Sequence, residues 1–227
     1  MTASCLHPGG LDFTAQLVQS AAVPAGAAVL DAGCGAGQTV AWLMQQGFAA
    51  AGIDKEPANL TAQICQGDLR QMPYADETFA AVLSECTAFI CGDTAAMLRE
   101  CYRVLQQGGW LLLADVYFDE QRALPAFADG RPVTMAQWRQ LLEQNQFTIK
   151  RTEDVSAAWK PFVIEQLWAG RTLEELWGGC LAGNQTTAAQ YKPGYFLLWA
   201  QKGESKDGRT TGHDDAYAGT DRTGLCL

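Results

Sequence analysis

Residues 30–38 read LDAGCGAGQ, an apolar strand end followed by glycines at 33, 35 and 37. Such a turn lets the main chain approach a ligand closely, because glycine has no side chain to hold it away. Asp31 stands two residues before the first glycine, and its carboxylate would repel a pyrophosphate. Asp54 ends the next predicted strand, where an acid can accept hydrogen bonds from ribose hydroxyls. The turn therefore predicts a ligand with a ribose and a positive charge but without phosphate.

Apolar strand patterns and helical patterns alternate along most of the chain. This alternation predicts an α/β fold with a doubly wound, mostly parallel sheet. Only about seven residues, KEPANLT, link Asp54 to the third strand. That is too short for a helical crossover, so the link should contain at most one helical turn. About seven strands are expected, at 27–33, 49–54, 62–68, 80–86, 110–118, 147–155 and 194–202.

Composition limits the domain organisation and the partners. The chain has 227 residues, 48% of them hydrophobic, which suits one sizeable core at 25–202 preceded by a lid segment at 1–24. Residues 203–227 are rich in Gly, Asp and Thr and are expected to form a disordered tail. A formal charge of −9 argues against nucleic acid as a partner. No stretch is apolar enough for a membrane span or a signal peptide.

Cysteine usage indicates the compartment. The eight cysteines contain no CxxC pair, so we expect reduced, mostly buried thiols in a cytoplasmic protein and neither a disulfide framework nor a metal site.

Four blocks of sequence resemble class I S-adenosylmethionine-dependent methyltransferases. VLDAGCGAG (29–37) is similar to their signature, and Asp54 matches their ribose-binding acid. GDLRQMPYADETFAAVL (67–83) is similar to the segment that meets adenine. LRECYRVLQQGGWLLLADVY (98–117) resembles the branch with ubiquinone and menaquinone biosynthesis methyltransferases. The resemblance covers about residues 25–118 and implies a Rossmann-like fold with one antiparallel strand near the end, which GYFLLWAQK (194–202) can supply.

The resemblance also implies a cofactor site for S-adenosylmethionine. Asp31 would bind the amino group of the methionine part, and Asp54 would bind the ribose hydroxyls. Asp68 and the Leu69 amide would meet the adenine edge, and Met72 would pack on its face. The expected cofactor-binding residues are Asp31, Gly33, Gly35, Gly37, Asp54, Lys55, Asp68, Leu69, Met72 and Ser84.

A small-molecule methyl acceptor is the preferred substrate (EC 2.1.1.-), bound beyond the carboxyl ends of the strands. A proton acceptor is needed only for a weakly acidic acceptor group. Glu85, Cys86 and His7 are the candidates for catalysis. A second subunit could pack on the thinly covered flank at 55–61, giving a homodimer.

Three alternatives remain open. LSECTAFI and GGWLLLADVYFDEQRALP resemble arsenite methyltransferases, which would make Cys86 a metalloid or thiol-site residue. A similar WGGCLAG stretch (177–183) places Cys180 about 60 residues after Asp115. The chain could also be an inactive S-adenosylmethionine-binding protein, or an NAD(P)-binding oxidoreductase, although GCGAGQ departs from the GxGxxG fingerprint.

Overall fold

The computed structural model describes residues 7–119, 131–172 and 193–203. In these ranges a seven-stranded sheet is flanked by helices. The predicted tail from 204 onwards, residues 1–6 of the predicted lid, and Cys180 lie outside the described residues. The strands are β1 Ala28–Ala32, β2 Ala49–Asp54, β3 Ile64–Gln66, β4 Phe79–Glu85, β5 Leu105–Tyr117, β6 Phe147–Asp154 and β7 Gly194–Lys202. The helices are α1 Gly10–Ser20, α2 Gln38–Gln45, α3 Thr94–Val104, α4 Met135–Gln144 and α5 Trp159–Trp168, with a 3₁₀ turn at Ser156–Ala158.

The strand order is β3-β2-β1-β4-β5-β7-β6. Pairings from β3 through β5 are all parallel, whereas β7 is antiparallel to both β5 and β6. The predicted fold class, with about seven strands and one antiparallel strand near the end, is therefore confirmed. The order reverses between β1 and β4, and ligands of open α/β sheets bind in the crevice at such a reversal.

Helix ends follow the chemistry of their capping residues. The Asp93 side chain accepts a hydrogen bond from the Ala96 amide at the start of α3. Thr134 and Gln137 form a reciprocal capping box at the start of α4, as expected for a Thr followed three residues later by a Gln. Helix α2 begins directly after Gly37, whose φ of 78° lies in the left-handed region that glycine tolerates.

The sheet is thinly covered at the link between β2 and β3. The link from Asp54 to Ile64 contains no helix, which confirms the prediction from its length. Leu60 in this link is 66% exposed. No helix in the three described ranges is long and apolar enough to cross a membrane.

Candidate functional site

The glycine turn after β1 folds over the end of β2. The amides of Gly33 and Cys34 both donate to the carbonyl of Ile53, at 2.8 and 3.2 Å. Gly33 has φ 94°, and a Cβ there would lie 2.2 Å from Thr87 Oγ1. Gly35 also has positive φ, 49°, but a Cβ there would meet nothing within 4 Å. The turn is therefore tight at Gly33 and open at Gly35, where main chain can face a ligand.

Asp54 joins this turn to the end of β2. Its carboxylate accepts hydrogen bonds from the Gly35 amide at 2.9 Å and the Glu56 amide at 2.8 Å. A carboxylate has about four lone-pair sites, so two amides leave it able to accept from a diol as well. The main chain fixes the Asp54 carboxylate beside the open part of the turn.

Asp31 lies at the carboxyl end of β1 and is only 4% exposed. Burial, followed by the negative charges of Glu85 and Asp54, raises the pKa of Asp31 well above its ordinary value. Among the described residues, no group donates a hydrogen bond to its carboxylate. A buried acid without a donor is costly, and a cationic ligand group would offset that cost.

Glu85 ends β4 and is 8% exposed. Thr14 Oγ1 lies 3.0 Å from both carboxylate oxygens, and Thr39 Oγ1 donates at 3.4 Å. His7 Nε2 is 3.6 Å from Glu85 Oε2 and makes no hydrogen bond there, although His7 is also only 8% exposed. Burial raises the pKa of Glu85, opposed by His7 and the two threonines. His7 and Glu85, which the sequence predicted separately as catalytic candidates, thus lie close together beside Thr14 of α1.

The predicted adenine side lies in the loop after β3. Both Asp68 oxygens accept from the Arg70 guanidinium, at 2.7 to 3.1 Å, and these hydrogen bonds lower the pKa of Asp68 to about 2. Leu69 is 7% exposed and Met72 is 4% exposed, and both pack in the main core. Arg70 therefore keeps Asp68 ionised as an acceptor.

An ion pair on α3 braces this loop. Arg103 Nη1 donates to the Tyr74 carbonyl at 2.7 Å, and Nη2 donates to the Met72 carbonyl at 3.0 Å. Glu100 pairs with the same guanidinium at 2.8 Å and accepts from the Met72 amide at 2.7 Å. Helix α3 thus fixes the main chain of residues 72–74.

Cys86 follows Glu85 with φ 53°, in the left-handed region. Its thiol donates to Tyr195 Oη at 3.4 Å, and Tyr195 is fully buried. Burial, then the charge of Asp115, raises the pKa of Cys86 well above its ordinary value. The Tyr195 ring lies between Phe13 of α1 and Trp159, at centroid distances of 6.4 and 6.2 Å. Phe13, Tyr195 and Trp159 thus form an aromatic row, and Cys86 is a protonated thiol beside it.

Two further predicted cofactor residues differ in their surroundings. Ser84 is fully buried, and its Oγ has no hydrogen-bond partner among the described residues. Lys55 is exposed, and its carbonyl accepts from Gln66 Nε2 at 2.9 Å. The described residues contain no group of three or more His, Cys, Asp or Glu side chains placed to hold a metal ion.

Sequence reasoning missed Thr14, Thr39 and Arg103 as parts of the site. Thr14 lies in the apolar stripe of α1, one turn before the buried pair Leu17 and Val18, and it is itself fully buried. A polar residue in such a stripe was the available signal.

The fold and this arrangement of acids define a class of protein. Residues 30–113 match the sequence family described as a methyltransferase domain. Residues 30–113 therefore form a methyltransferase domain, which confirms the resemblance to class I S-adenosylmethionine-dependent methyltransferases and the cofactor predicted from the sequence. The site residues fit that cofactor: buried Asp31 lacks a donor, and the main chain at Gly35 is open.

Curated relatives cover part of the chain. It is 36% identical over 118 residues to the uncharacterized methyltransferase YodH of Bacillus subtilis, covering 47% of this chain and 50% of YodH. It is 30% identical over 148 residues to a 2-methyl-6-phytyl-1,4-hydroquinone methyltransferase of Synechocystis, covering 60% and 42%. A 56-residue stretch is 39% identical to an arsenite methyltransferase of Aquipseudomonas alcaligenes, covering 25% and 16%. At best, the chain spans about half the length of these relatives.

Among solved structures, the [4+2]-cyclase SpnF superimposes with a TM-score of 0.64 and 22% identity, covering 86% of this chain and 80% of SpnF. This likeness shows the fold alone.

Proposed function

We propose that the protein transfers a methyl group from S-adenosylmethionine to a small-molecule acceptor. The observation that carries the proposal is the Asp54 carboxylate, which two main-chain amides fix beside the open main chain at Gly35. An acid in this place suits ribose hydroxyls and disfavours a phosphate. Buried Asp31, without a hydrogen-bond donor among the described residues, adds a partner for the positive methionine end.

Each side chain of the proposed cofactor site has one role. S-adenosylmethionine, when bound, supplies a methyl group on a positively charged sulfur. Asp31 holds the amino group, Asp54 the ribose hydroxyls and Asp68 the adenine amino group. Gly33 and Gly37 keep the turn tight, since a Cβ at either would overlap a neighbouring side chain. Leu69 and Met72 are buried beside Asp68, Ser84 is buried on β4, and exposed Lys55 follows Asp54.

The acceptor side lies at the carboxyl ends of β4 and β5 and at the start of the antiparallel strand β7. The half-buried rings of Phe13 and Trp159, which pack against buried Tyr195, offer apolar surface near Cys86. Methyl transfer is an in-line displacement, so the protein mainly positions the acceptor and excludes water. Where the acceptor must lose a proton, His7 is the candidate to take it, since Nε2 lies 3.6 Å from the Glu85 carboxylate that would stabilise the cation.

Small-molecule substrates are also suggested by two relatives whose names specify a hydroquinone and arsenite. A metalloid site at Cys86 is the less favoured reading, because soft metals bind thiolates and burial keeps this thiol protonated. The cysteine usage, eight residues without a CxxC pair, supports a cytoplasmic protein. The thinly covered edge at 55–61 is where a homodimer partner would pack.

Calorimetric titration tests the proposal. The protein is titrated with S-adenosylhomocysteine and, separately, with NADH, and both titrations are repeated on Asp54→Ala. We expect the parent protein to bind S-adenosylhomocysteine with micromolar affinity and not to bind NADH. Asp54→Ala should weaken the affinity for S-adenosylhomocysteine at least tenfold. Glu143→Ala, an exposed position on α4, is the control and should bind like the parent. NADH binding in place of S-adenosylhomocysteine would overturn the proposal in favour of an oxidoreductase.

A further inference from the structure

Three acids share one face of the sheet at the strand ends. Asp31 pairs with Gly52 of β2 and with Leu83 of β4 in the parallel register. Side chains two positions apart point to the same face, so Asp54 and Glu85 project to the face of Asp31. Helix α2 covers this face, because a Cβ on Gly52 would touch Val40 and Thr39 donates to Glu85. The three carboxylates therefore share this face, and the charges of Glu85 and Asp54 both act on Asp31.

Among the described residues, few basic side chains lie near these three acids. In the described residues, His7 is the only basic side chain within ion-pair distance of Asp31, Asp54 or Glu85. Its Nε2 stands 3.6 Å from Glu85 and has no hydrogen bond, while being buried. Buried carboxylates normally require a paired cation or full hydrogen bonding. This face is therefore built to receive positive charge from a ligand.

The proposed cofactor carries two positive charges, one on its amino group and one on its sulfur. Asp31 is assigned to the amino group. Glu85 is held by Thr14 and Thr39, so its position is fixed before any ligand binds. It also lies on the strand that borders the acceptor side, next to Cys86 and the aromatic row. The sulfur that gives up the methyl group must lie between the cofactor turn and that side.

We propose that Glu85 is a charge partner of the sulfonium and makes the site prefer the methylated donor over the demethylated product. This inference rests on the proposed function. When the methyl group moves to the acceptor, the electron pair of the broken bond stays on sulfur, which becomes neutral. The attraction to Glu85 ends at that moment, while contacts to the amino group, ribose and adenine remain. The product is thereby bound less tightly than the donor.

The test compares dissociation constants for S-adenosylmethionine and S-adenosylhomocysteine by calorimetry. Glu85→Gln keeps the shape of the side chain and its acceptor oxygen but removes the charge. We expect it to weaken S-adenosylmethionine about tenfold and to change S-adenosylhomocysteine less than twofold. Asp31→Asn should weaken both ligands alike, because both carry the amino group. Glu143→Gln, the same substitution at an exposed site on α4, should change neither.

Equal weakening of both ligands by Glu85→Gln, or no effect on either, would overturn the inference and leave the proposed function standing. Binding of neither ligand by the parent protein would refute the proposed function itself. A second measurement covers a poorly folding variant: the ratio of the two affinities in the parent protein from pH 5 to pH 8. Ionisation of Glu85 should raise the preference for S-adenosylmethionine with pH. His7, Asp31, Cys86 and Tyr195 also interact electrostatically with this carboxylate, and a flat ratio would refute the inference.

Discussion

Cys86 and Tyr195 are 109 residues apart in the chain, yet the Cys86 thiol donates a hydrogen bond to the Tyr195 hydroxyl at 3.4 Å. The hydrogen bond connects the residue that follows β4 with the second residue of β7. Tyr195 is fully buried and flanked by Phe13 and Trp159. This environment makes the thiol a structural group at the edge of the proposed acceptor region.

Cys86 should therefore be chemically inert in the folded protein. Its raised pKa keeps the thiolate scarce at neutral pH, and only the thiolate is a good nucleophile. We expect iodoacetamide at pH 7.5 to leave Cys86 unmodified over an hour, as judged by peptide mass spectrometry, and to modify it fully in 8 M urea. Cys101, fully buried, is the matched control. Rapid native labelling of Cys86 would favour the metalloid alternative.

Arg103 should stabilise both the fold and the adenine side of the site. Its guanidinium donates to the carbonyls of Met72 and Tyr74 and pairs with Glu100. Arg103→Gln leaves these carbonyls without their charged donor, and we expect a loss of about 2–3 kcal/mol in the free energy of unfolding. Urea titration measures that loss, and calorimetry should show weaker binding of S-adenosylhomocysteine. Arg151→Gln removes a half-exposed guanidinium on β6 and should cost less than about 1 kcal/mol. Equal effects of the two substitutions would contradict the bracing role.

Gly33 and Gly35 should respond differently to alanine. Both have positive φ, which strains any other residue. At Gly33 the new Cβ would also overlap the Thr87 side chain, whereas at Gly35 it would enter open space. We expect Gly33→Ala to lower the melting temperature markedly more than Gly35→Ala. Gly35→Ala should cost only the strain of its positive φ, about 1–2 kcal/mol, and should reduce affinity for S-adenosylhomocysteine. A similar melting temperature for the two variants would show that Thr87 yields easily.

Asp115 should make stability depend on pH. It is 1% exposed and accepts from the amides of Phe89 and Val116, and burial raises its pKa to about 7. Between its ordinary pKa and about 7, the folded protein holds a proton that the unfolded chain has released. The stability contribution is therefore full in acid and is lost as pH rises towards 7.

The variant Asp115→Asn isolates this effect, because asparagine does not titrate. Asparagine also loses one amide acceptor, so the variant should be less stable in acid. From pH 4.5 to pH 7.5 the stability of the parent relative to the variant should fall by roughly 2–4 kcal/mol. Urea unfolding at several pH values measures the difference. A constant difference would mean that Asp115 titrates normally in the fold.

Local patterns predicted the features that depend on neighbouring residues. The sequence predicted the glycine turn and the missing helix after Asp54, each from a few adjacent residues. The caps at Asp93 and Thr134 likewise depend only on residues within one helical turn. Glu85 and His7 were chosen as candidates, but their proximity depends on α1 folding back over the end of β4. The contact of Thr14 with Glu85 spans 71 residues, and no local pattern specifies it.

Asp68 shows a second reason why the sequence did not predict every contact of the site. Its position in the loop matches the adenine-binding acid, yet the bidentate contact from Arg70 depends on side-chain rotamers two residues apart. Sequence spacing permits that contact without requiring it. The place of β7 between β5 and β6 likewise depends on tertiary pairing, because no local pattern indicates which strands β7 pairs with.

Strand β7 lies between β5 and β6, although it is the last of the seven to be synthesised. Until Gly194–Lys202 has emerged from the ribosome, β5 has an open apolar edge and β6 has no partner in the sheet. Closing this gap requires pairing over about 85 residues, a slow, high-contact-order step. The nascent chain must therefore carry an exposed strand edge while the residues between β5 and β7 are synthesised, the condition under which chaperone binding competes with aggregation.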